Sequence, residues 1–129
     1  MSILEEFMNL LADTAEKNCD LQCKISLKEL PAEGGIYAEP GEGYGETRYY
    51  DKTEIRMVPV LFLCRNADQK KCLEYLENIC QYFSRLKVYP QGENFSWLDT
   101  EVAKSPSKIG RDEDGVYHYS CILNCKLYF

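Results

Sequence analysis

The chain has 129 residues, is 45% hydrophobic and 28% charged, and carries a formal net charge of −6 with a pI near 4.8. A domain of this length buries roughly two thirds of its unfolded surface, so it can carry a core without disulfide or metal staples. The acidic balance argues against a main task of gripping nucleic-acid phosphates, which needs a basic stripe, and no segment approaches the roughly twenty apolar residues of a membrane span.

The start, MSILEEF, is acidic where a secretion signal would be basic, and a soluble intracellular product is expected. Ser2 and Glu5 form a capping box, opening a helix that fades near Asn18. Its apolar stripe is Ile3, Leu4, Phe7, Leu10, Leu11 and Ala15. From Leu21 the period changes to two, with Leu21, Cys23, Ile25 and Leu27 alternating with polar residues, the pattern of a strand with one wet face, stopped by Pro31 and Gly34-Gly35.

The stretch Gly34 to Tyr50 is the most unusual in the chain: five glycines, four tyrosines and three glutamates in seventeen residues. Bare loops this long are uncommon in small domains and tend to be functional. Ile36 to Glu39 extends briefly, and Gly45 to Tyr50 is expected to pair with Thr53 onward across a turn at Asp51-Lys52, giving a mobile hairpin arm over 34–52.

Ile55 to Cys64 is apolar on both faces after Met57, as in a strand that is central or covered on both sides, and Pro59 implies a bulge or an edge position in its first half. Asn66 or Asp68 caps a second helix to about Leu86, with a core stripe of Cys72, Leu73, Leu76, Ile79, Cys80, Phe83 and Leu86. Phe95 to Lys104 reads as a strand carrying the only tryptophan, Trp97, after which Pro106 and Gly110 interrupt and Asp114-Gly115 signals a hairpin turn. Val116 to Phe129 is the clearest strand, with Tyr117, Tyr119, Cys121, Leu123, Cys125, Leu127 and Phe129 on one face. Together these elements specify one α+β domain over 1–129, an antiparallel or mixed sheet of about four to six strands with two helices packed on one face.

The chemistry-bearing residues are sparse. Seven cysteines without a CxxC pair fit zinc poorly, and reduced buried thiols are the default; Cys64 and Cys80 are open between core packing and a base-paired nucleophile. His118, the only histidine, lies beside Ser120, but no nucleophile elbow accompanies them. Glu33, Glu39, Glu42 and Glu46 lack EF-hand spacing, and GEGYG lacks the P-loop lysine and the strand-to-helix context. No catalytic, metal or cofactor residue is therefore assigned. Tyrosine combines apolar area with a polar tip and is enriched at interfaces, so Ile36, Tyr37, Glu39, Glu42, Tyr44, Glu46, Tyr49 and Tyr50 are the candidate protein-contact residues.

The ordered segments IYAEPGEGY, IRMVPVLFLCRN with the helix DQKKCLEYLENIC after it, FSWLD and IGRDEDGVYHYSCILNCKLYF resemble the small minor capsid proteins of tailed phages and prophages of Gram-positive bacteria. Such proteins are similar to tail terminator and tail-to-head joining proteins. The resemblance covers nearly the whole chain and implies a non-enzymatic virion protein at the head-tail junction, made in the bacterial cytoplasm. It further implies α+β subunits that close into a ring, commonly a hexamer, meeting the tail tube and head-connector proteins, with DNA only passing through the channel and no membrane partner. It carries over no catalytic residue. The arm glutamates could line that channel, where like charge lets DNA slide, or meet a neighbouring subunit. A binding module outside the virion, such as an assembly chaperone or a host-protein adaptor, is the alternative from another class.

Overall fold

The computed structural model describes residues 2–30, 34–41, 44–48 and 54–129, with 44–48 as backbone. Two helices, α1 (Ile3–Asn18) and α2 (Gln69–Arg85), lie against a mixed sheet. Its strands are β1 (Ile25–Ser26), β2 (Gly35–Pro40), β3 (Tyr44–Arg48), β4 (Glu54–Asn66), β5 (Ser96–Arg111) and β6 (Tyr117–Tyr128). The order is β1-β2-β4-β6-β5, with β3 also on β4; only the β1-β2 pair is parallel. This is the α+β class, with the helices on one face of the sheet.

Each helix starts where its cap residue dictates. Ser2 Oγ accepts from the Glu5 N–H at 3.1 Å, and Asp68 accepts from the Lys70 N–H at 3.0 Å, each satisfying an orphan amide of the first turn. The helices run in opposite senses across one face and bury Phe7, Leu11, Leu76, Ile79 and Phe83 against Val58, Val60, Phe62, Cys121 and Leu123. Trp97 is the hub of this core. Phe7 meets it edge-on at 5.0 Å, Phe83 stacks at 5.3 Å, and Tyr89 lies at 5.0 Å. Its indole N–H donates to Thr100 Oγ1 at 2.9 Å, while the Gln91 amide both accepts from the Trp97 N–H and donates to its carbonyl. Glu6 ties α1 to the neighbouring loop by accepting from the Glu93 N–H and from the Asn94 side chain.

Several sequence expectations are corrected. The alternation from Leu21 yields only a two-residue strand, because Gln22 turns toward α2, accepting from Tyr75 and Lys71, and Leu21 and Cys23 reach the core from a loop. Leu73 is exposed, and Tyr75 takes its place on the buried stripe of α2. Strand β5 runs through Pro106 and Gly110 to Arg111, absorbing them in register shifts rather than ending. The turn at the end of the β5-β6 hairpin forms as expected, with Gly115 at φ 80 and its N–H donating to the Asp112 carbonyl.

Pro59 sits inside a strand paired without a break to β6, so neither a bulge nor an outer edge is needed to house it. On the other side of β4 the partner changes, β2 ending opposite Val60 and β3 beginning opposite Met57. The Pro59 carbonyl accepts from the Gly41 N–H at 2.7 Å on that side. In a strand, a residue's N–H and C=O point the same way, so the N–H that proline lacks would have faced the changeover and not β6. The β4-β6 ladder therefore loses no bond to the proline.

Candidate functional site

The strands of the sheet present two unlike faces. Along β4, Val58, Val60, Phe62 and Cys64 face the helices and are buried, whereas Pro59, Leu61 and Leu63 face away and are half-buried. Directly opposed residues share a face, which makes two rows across the far side. One is Glu39, Leu61, Ile122 and Lys104, and the other is Tyr37, Leu63, Ser120 and Ser107. No helix of the described residues covers this face. Lys104 reaches over it to donate to Ser120 Oγ at 3.3 Å, and Tyr37 donates to Glu39 Oε2 at 2.9 Å. That bond, helped by burial, raises the Tyr37 phenol pKa, so the tyrosine stays neutral and its proton holds Glu39 in place.

The sequence-predicted contact residues divide between these environments. Tyr37 and Glu39 lie on the uncovered face. Ile36 is completely buried, paired with Cys64 and packed in the core, so its side chain supports the fold; the brief extension expected over Ile36 to Glu39 is strand β2. Tyr44 and Glu46 belong to β3, which pairs antiparallel with β4 as the hairpin expectation required. Glu42, Tyr49 and Tyr50, with the turn at Asp51-Lys52, lie outside the described residues. The entry to β2 needs glycine: Gly34 has φ 112, and a Cβ there would stand 3.0 Å from the Arg65 carbonyl oxygen.

The other candidate groups are held in place by their neighbours. All seven cysteines are free thiols. Cys64 and Cys80 are buried; the Cys64 thiol is pushed up by its hydrogen bond to Cys72 and by burial, while the hydrogen bond between Cys80 and Cys121 lowers Cys80 and, with burial, raises Cys121. Burial pushes Cys19 up to about 12, and Cys125 up to about 12 against the opposing hydrogen bond with Thr100. These thiols pack as small hydrophobes. His118 Nε2 lies 2.9 Å from Asp112 Oδ2, which also holds Arg65 at 2.6 Å. Among the described residues no cluster of His, Cys, Asp and Glu is placed to hold a metal ion, and no helix is long and apolar enough to cross a membrane.

Among the described residues the helices cover one face of the sheet and leave the other uncovered, with β3 paired alongside β4. The family model for bacteriophage tail terminator proteins matches residues 10–129, and the chain belongs to that family. It is a structural component of the phage virion tail. No curated protein matches it. The basic and aromatic grouping of Lys108, Arg111 and Tyr117 was missed by sequence reasoning; only the long register of β5 on β6 brings these residues together.

Proposed function

We propose that this chain is a ring-forming tail terminator that caps the tail tube and joins it to the head, acting as a single α+β domain in which the β2-β3 segment and the uncovered sheet face make the subunit contacts. The observation that carries the reading is the asymmetry of the sheet. Helices cover one face, while Tyr37, Glu39, Leu61, Leu63 and Ile122 form a half-buried apolar and polar surface on the other. Subunits in a ring meet through two different surfaces that close by rotation. An edge segment rich in tyrosine and glutamate is suited to be one of them. In this reading Glu42, Tyr44, Glu46, Tyr49 and Tyr50 join Tyr37 and Glu39 as contact residues.

Electron microscopy of particles made without this gene tests the function. Overlong tails of variable length are the expected outcome of losing a terminator. Tails of normal length left unattached to heads would leave joining alone, and normal attached particles would remove both roles.

A further inference from the structure

At the end of the sheet where β4 and β5 finish and β6 begins, the otherwise acidic chain gathers positive charge. Lys108 Nζ lies 4.9 Å from the centre of the Tyr117 ring, and the Arg111 guanidinium lies 5.7 Å from the same ring. The first turn of α2 packs over this strand, with Cys72 Sγ 3.9 Å from the Tyr117 carbonyl and Gln69 bonded to the Tyr119 hydroxyl. That turn has no acidic residue and carries Lys70 and Lys71, both exposed. Two cations on one ring, with two lysines on the adjoining turn, repel one another unless an anion lies among them.

The nearby acids do not supply that anion. Asp112 is engaged by Arg65 and His118, and Asp68 caps α2. Glu113 and Asp114 stand exposed in the turn itself. Among the described residues Lys70, Lys71, Lys108 and Arg111 make no ion pair. Acidic residues instead mark the other edge of the sheet: Glu39 sits on β2 opposite Leu61, near the middle of β4, with β4 and β6 between it and β5, and Glu46 sits on β3, which pairs with the start of β4 at the far end from Arg111.

We propose that the Lys108, Arg111 and Tyr117 surface of one subunit, with Lys70 and Lys71 beside it, seats strands β2 and β3 of the neighbouring copy through Glu39 and Glu46. This deepens the ring reading and rests on it. The two surfaces are different and lie toward opposite edges of the sheet, as a head-to-tail contact requires. Their opposite charges fix which end meets which.

Complementation of a phage lacking the gene separates the possibilities. Lys108→Glu/Arg111→Glu and Glu39→Lys/Glu46→Lys should each lower the infectious titre about a hundredfold or more, because each places like charges across every contact. Expressed together they should restore the titre, since rings alternating the two variants pair opposite charges at every contact. Thermal unfolding of each purified variant, expected near the wild-type midpoint, checks folding. Normal titre from either variant alone, or no recovery on co-expression of folded variants, would overturn the proposal. A defect confined to Lys108→Glu/Arg111→Glu would assign the basic end to another anion, DNA phosphate included, and would equally overturn it. The terminator reading itself falls only if tails of normal length form without the gene, an outcome these variants cannot mimic.

Discussion

The two faces of the β4-β6 pair are built from alternating residues of the same strands, yet they differ in what their side chains do. Val60, Phe62, Cys121 and Leu123 are fully buried under the helices, while Leu61, Leu63 and Ile122, one residue away, are only half-buried. Because the side-chain period of a strand is two, a single segment can send its stability to one side and its contacts to the other. Parity along the strand therefore decides which of these apolar residues the helices cover.

The largest effect expected from this division is on the covered face. Trp97→Ala removes the ring shared by Phe7, Phe83 and Tyr89 and should cost about 3–5 kcal/mol, read as a lowered midpoint in denaturant unfolding. A loss under about 1 kcal/mol would show that the core is not organised around this residue. Next in size is Asp68→Ala, which leaves the Lys70 N–H without its cap and should cost about 1 kcal/mol, restored largely by Asp68→Ser.

The uncovered face should behave in the opposite way. Leu61→Ser should change monomer stability much less than Trp97→Ala while reducing the number of subunits retained on tails, measured by quantitative mass spectrometry of purified particles. A strongly destabilised monomer with unchanged retention would break the distinction between the faces.

The smallest effect concerns acid. The Asp112 carboxyl is held below its usual 3.8, first by its bond to His118 and further by Arg65. Its folded pKa is the lower one, so its stabilisation is complete above the unfolded value and is lost as pH falls through the folded value. Wild type should therefore lose stability faster than Asp112→Asn as pH drops below about 4, followed by thermal unfolding across that range. Parallel acid profiles would show that the cluster contributes nothing to folding.

The elements with a strong local signal were legible in the sequence. Ser2 and Asp68 announce the helix starts, and the alternation from Tyr117 to Leu127 fixes both the last strand and its buried face. The apolar run around Pro59 was rightly read as central, but the place of the proline depended on where β2 gives way to β3, which is a tertiary fact. Leu21 to Lys24 misled because alternation reports burial, and a loop docking on α2 produces the same burial as a strand.

The candidate contact residues were legible in type more than in place. Tyrosines and glutamates marked Gly34 to Tyr50 as unusual, yet Ile36 turned inward because β2 lies between β1 and β4. The basic grouping around Tyr117 left no trace in local sequence, since Lys108 and Arg111 reach that ring only across the hairpin.

Hydrogen exchange of the free subunit and of the subunit on assembled tails tests the central claim most directly. The account predicts that amides of β2 and β3 slow on assembly, while those of α1 and of α2 beyond its first turn exchange alike in both states. Protection gained along the helices, with β2 and β3 unchanged, would contradict it.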